Sequence, residues 1–161
     1  MGQRVVTLRK EKLDTFGLSV TYREVTEGTG HVGIRHITSM HQGTNGELWM
    51  ASEQALASFD GFTLRTYLPT YRNREKVRPI EIFPLDERRF LVSYTLVSGW
   101  QPHVEAMDIF DAQLRTFSPL PFPEGKEDKW VLSQSLYGLY LAGLRGETYY
   151  LNKRNLQWSA G

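Results

Sequence analysis

Two aromatic markers recur along the chain with matching intervals, and this recurrence limits the possible folds more than any other feature. The first marker is the aromatic of "ELWMAS" (47–52), "RFLVS" (89–93) and "LYLAG" (139–143), namely Trp49, Phe90 and Tyr140, spaced by 41 and 50 residues. The second closes "FDGFTLRTY" (59–67), "FDAQLRTF" (110–117) and "YLNKRNLQW" (150–158), where Tyr67, Phe117 and Trp158 are spaced by 50 and 41. Within the units the two markers lie 18, 27 and 18 residues apart, so the middle unit carries nine extra residues and the underlying period is 41. A first strand precedes each unit, "RHITSM" (35–40), "RPIEIF" (78–83) and "KWVLSQ" (129–134). Four short strands in about 40 residues is the size of one propeller blade.

Turn chemistry agrees with short strands. Asn45-Gly46 and Asp60-Gly61 are strong hairpin signals because these residues accept positive φ. The links "LPTYRNREKV" and "SPLPFPEGKED" are rich in Pro and charge. No segment sustains a helical apolar period with a cap at each end, so the chain reads as all-β. At 161 residues a single domain over 1–161 is expected. Its parts are a lead-in over 1–30 and blades over roughly 31–70, 76–119 and 127–159. An irregular β-sandwich with recurring turns is the competing architecture.

Composition narrows the function. Nineteen Lys and Arg against 18 acidic residues give a net charge of +1, too little field to make nucleic acid the expected partner. With no cysteine, disulfides, thiol nucleophiles and cysteine-ligated zinc are excluded. The first twenty residues hold no apolar run of about 7–15 residues, so no signal peptide is read there, and no stretch is long enough for membrane insertion. His31, His36 and His41 are spaced by five. Residues five apart on one strand point to opposite faces, so no metal site is expected from them. No cofactor motif, nucleophile elbow, phosphate loop or zinc-binding helix is present, and no catalytic residue is assigned. Asp60 and Asp111 sit at equivalent turns and read as turn residues, although two carboxylates converging in space would make a glycosidase.

The stretch "ITSMHQGTNGELWMASEQALASFDGFTLRTY" (37–67) resembles the repeat of the two-component regulator propellers, the sensor ectodomains of bacterial hybrid histidine kinases. Ser39, Gln42, Gly46, Leu48, Trp49, Leu56, Phe59, Asp60 and Gly61 fall on the matching positions without a gap. Gly43 stands where that repeat usually has Asp, Ala51-Ser52 replaces Gly-Thr, and Ala55 replaces a turn Gly. The second and third units are degenerate. The resemblance implies propellers of about seven blades, whereas three units fill this chain. A fragment, a ring closed by a homo-oligomer or by remaining blades of a longer chain, and a compact open arrangement covered by residues 1–30 are the alternatives.

In a four-stranded meander the second-to-third-strand loop and the link between units emerge at one end. The insertion "TLVSGWQPH" (95–103) therefore shares a face with the links 70–76 and 121–128, which gathers Tyr71, Arg72, Arg74, Trp100 and His103 as candidate ligand-binding residues. A loop Trp stacks on a sugar or a partner, and paired Arg residues grip a carboxylate or sulfate. The expected function is a non-enzymatic sensor module. It binds a small extracellular ligand, with carbohydrate implied by the resemblance, and relays to an output domain not in this chain. A scaffold that self-associates through blade edges is the alternative. The expected location is periplasmic within a membrane-anchored sensor, or cytoplasmic if the chain is complete.

Overall fold

The computed structural model describes residues 3–13, 20–26, 37–52, 55–67, 77–96, 102–125 and 128–161. Tyr71, Arg72, Arg74 and Trp100 lie outside them, as do His31 and His36. In chain order the strands are β1 (Gln3–Leu13), β2 (Val20–Thr26), β3 (Ile37–Gln42), β4 (Leu48–Ser52), β5 (Leu56–Phe59), β6 (Thr63–Tyr67) and β7 (Val77–Pro84). They continue as β8 (Arg89–Leu96), β9 (His103–Asp111), β10 (Thr116–Pro119), β11 (Trp130–Ser135), β12 (Gly138–Gly143), β13 (Thr148–Asn152) and β14 (Gln157–Ala160). Among the described residues there is no helix, every strand pairing is antiparallel and neither sheet closes on itself. The chain is all-β and divides into two compact units, Met1–Pro69 and Thr70–Gly161.

The first unit holds one six-stranded sheet in the order β2-β1-β6-β5-β4-β3. Strands β3 to β6 form a meander whose turns are set by local chemistry. Gly43 N–H donates to the Glu47 carbonyl at 2.8 Å, Asn45 Oδ1 accepts from Glu47 N–H at 3.0 Å, and Gly46 turns the chain at φ 81°. Glycine adopts that φ without the Cβ clash other residues suffer. At the next hairpin the Ser52 hydroxyl donates to the Ala55 carbonyl and accepts from Ala55 N–H, at 3.1 and 3.2 Å. Trp49 and Tyr67 are buried, with ring centroids 5.9 Å apart. Beyond the meander, β1 continues the sheet on the free edge of β6, from Gln3 opposite Tyr67 to Thr7 opposite Thr63. The lead-in thus extends the first sheet through backbone pairing.

The second unit holds two meanders, β7 to β10 and β11 to β14. Pro79 lies within β7, an edge strand whose register slips between Val77 and Ile80, where a residue without an N–H is tolerated. Three of the inserted residues lengthen a hairpin: Thr95 and Leu96 belong to β8 and His103 to β9, strands of eight and nine residues against five and four in β4 and β5. Length also gives β9 two neighbours along one edge. Asp108–Asp111 pair with β10, while Val104 stands opposite Trp130 of β11, joining the meanders in one sheet.

Between the two meanders lies a core of Leu85, Leu91, Met107 and Ile109 from one and Trp130, Leu139, Leu141 and Leu151 from the other. Trp130 is its central peg, 2% exposed, stacked on Phe122 at 6.4 Å and edge-on to Tyr149 at 5.6 Å.

The closing turns of the three meanders share one device. Asp60 Oδ1 accepts from the N–H groups of Phe62 and Thr63, Asp111 Oδ1 from Gln113 and Leu114, and Asn152 Oδ1 from Arg154 and Asn155. A short side chain ending in an acceptor caps donors that the hairpin itself leaves free. In the two longer turns the chain returns through a left-handed residue, Arg115 (φ 58°) and Leu156 (φ 57°).

Candidate functional site

At the end of the second unit where β9 begins, a cleft of about 300 Å³ opens beside the Val104–Trp130 rung. Strand pairing builds one wall. Glu81 of β7 stands opposite Ser93 of β8, and Thr95 opposite Val104 of β9. Because side chains alternate along a strand, Ser93 and Thr95 share a face. Pro102 and His103 at the start of β9 and Val131 and Leu132 of β11 complete the described lining. The lining is therefore an apolar surface carrying a carboxylate, two hydroxyls and an imidazole.

His103 is the sequence-expected residue that this cleft contains. Its side chain is 13% exposed, with Nε2 3.6 Å from Glu105 Oε2. Its Nδ1 is buried and meets no hydrogen-bond partner among the described residues. A buried polar atom without a partner costs about 1–3 kcal/mol, and none of the described residues offsets that cost at His103. Glu81 and Ser93 were not singled out from sequence. Their only signal is a lone polar residue inside an apolar strand, in "PIEIF" and "FLVSY".

A second cleft of about 320 Å³ lies at the other end of β9, lined by Arg89, Ile109, Asp111, Leu114 and Leu156 among others. Its charges are already engaged. Arg89 donates to Asp86 Oδ2 and to the Lys153 carbonyl, each at 2.8 Å. Asp111 is held by both Nε and Nη2 of Arg88. The Arg88 guanidinium, with the turn N–H groups, keeps the Asp111 carboxyl below the usual aspartate range. Backbone N–H groups of Thr63 and Phe62 do the same for Asp60. Both are ionised acceptors committed to their turns.

One acid is different. Asp108 is buried on β9 and accepts a 2.6 Å hydrogen bond from the Tyr94 hydroxyl. Burial pushes its carboxyl above the ordinary range, and the Tyr94 bond only partly offsets this. His41 stands on β3. Among the described residues no three His, Cys, Asp or Glu side chains approach closely enough to hold a metal, and no helix is long and apolar enough to cross a membrane. No protein-family model matches the sequence, and no curated protein matches it.

Proposed function

We propose that this chain is a non-enzymatic ligand-sensing module of the two-component regulator propeller type. Its meanders serve as blades, completed by further blades or by other copies, and it binds a small extracellular ligand, carbohydrate foremost. It relays that binding to an output domain outside this chain, as the periplasmic part of a membrane-anchored sensor. The observation that carries the binding reading is the His103 cleft, with its unpartnered buried Nδ1 beside apolar walls. Small-molecule sites are commonly of this kind, apolar with a few convergent polar groups and volumes from about 300 Å³ upward. The resemblance over 37–67 supports the propeller and sensor parts of the reading.

Titration of the intact chain with a panel of mono- and disaccharides, followed by tryptophan fluorescence, tests it. Saturable quenching that is lost in His103→Ala and weakened in Trp100→Ala is expected. A flat response to the whole panel overturns the binding reading.

A protein-interaction scaffold is the second reading, favoured by β3. This strand ends the first sheet and leaves Ile37 50% and Met40 63% exposed. Exposed apolar side chains on a strand at the end of a sheet offer a surface on which another chain can pack. Light scattering that gives a concentration-dependent mass, together with no glycan response, selects this reading.

A further inference from the structure

We propose that the His103 cleft recognises its ligand by a positively charged amino group, so that an amino sugar is preferred over a neutral or acidic one. The inference rests on the ligand-binding reading above and deepens it.

Among the described lining residues Glu81 is the one formally charged group, and no Lys or Arg is present. Among the described residues no cation forms an ion pair with the Glu81 carboxylate. His103 Nε2 lies 3.6 Å from Glu105 Oε2, a second carboxylate beside the cleft. Ser93, 2% exposed, and Thr95 add hydroxyls that can turn either way.

A carboxylate without an ion partner is complemented by a group with N–H donors and a positive charge. A primary ammonium supplies three donors and no acceptor, and hydrogen bonds between ionised partners are roughly twice as strong as neutral ones. An acidic ligand meets the opposite situation, a like charge at Glu81. The volume, about 300 Å³, suits a body of monosaccharide size. This preference is the reverse of the one Arg72 and Arg74 would impose, so one set of ligands separates the two.

The test compares glucosamine, glucose and glucuronate on the intact protein by calorimetric titration at pH 7. Glucosamine is expected to bind about tenfold tighter than glucose, about 1.4 kcal/mol, with glucuronate weakest. Glu81→Gln should bring glucosamine to the level of glucose, while Glu81→Asp keeps part of the preference. An unchanged melting temperature in both variants shows that the strand pair is intact. Glucose or glucuronate binding as tightly as glucosamine overturns the inference, as does a preference that survives Glu81→Gln. If all three fail while another glycan quenches tryptophan fluorescence, the amine preference is wrong and the sensor reading stands. If every glycan fails, both are wrong.

Discussion

At the residue scale the most informative group is Asp108, because its burial opposes its charge. The folded protein holds its carboxyl above the ordinary value of 3.8, chiefly by desolvation. The folded state therefore binds more protons than the unfolded chain in the interval above 3.8. Asp108's contribution is fully present below that value and is lost as pH rises through the raised one. Asp60 and Asp111 have lowered values and act in the opposite sense, stabilising above the ordinary value and losing that support as pH falls through the lowered one. Asp108→Asn keeps an acceptor for Tyr94 and removes the buried charge. It should raise the melting temperature at pH 7 relative to wild type, with the gain shrinking as pH falls toward 4. Tyr94→Phe should cost about 1.5–3 kcal/mol at pH 7, because it strips a hydrogen bond from a buried charged group; urea unfolding of the single variant checks this. Neither residue was visible as a pair in sequence. Tyr94 and Asp108 are 14 positions apart, and only the β8–β9 register brings them together.

Element-scale features were the most legible ones. Trp49, Phe90 and Tyr140 fall in β4, β8 and β12, and Tyr67, Phe117 and Trp158 in β6, β10 and β14. Those positions were readable because each depends on local chemistry, an alternating strand closed by an Asx turn. The two left-handed turn residues allow a comparison that separates backbone strain from packing. A left-handed conformation costs a non-glycine residue about 1–2 kcal/mol. Arg115 is half-buried in its turn, so relief of that strain in Arg115→Gly is offset by lost contacts and by the entropy glycine adds to the unfolded chain, and the net change should stay within about 1 kcal/mol. Leu156 has the same φ but packs against the core of the second unit. Leu156→Gly should therefore be destabilising. Thermal melts of the two variants side by side decide whether strain or packing prevails at each turn. What escaped the element-scale reading is β1 on the edge of β6 and β11 on β9, since pairings between distant segments leave no periodic trace. Of the candidate site, His103 was legible as the foot of an insertion. Its neighbours Glu81 and Ser93 were not, because cross-strand partners are fixed by register alone.

At the scale of the whole molecule the described chain is two compact units, and the second depends on one side chain more than any other. Trp130 holds the single rung between β9 and β11 and fills the space between two meanders. Trp130→Ala should cost about 3–5 kcal/mol, enough to remove much of the stability of a domain whose total is about 5–15 kcal/mol. Chemical denaturation followed by far-UV dichroism should show the loss, and the cleft at His103, which opens beside that rung, should lose its ligand response with it. The pairing of β1 with β6 has a consequence in time. β1 leaves the ribosome about 60 residues before the strand it pairs with, an interval of several seconds at roughly 5–20 residues per second. The β3–β6 meander assembles from adjacent hairpins, each closing a short loop, whereas the pairing of β1 with β6 is the longest closure in its sheet. β1 can pair with β2 at once, but its other edge stays open on the nascent chain until β6 arrives.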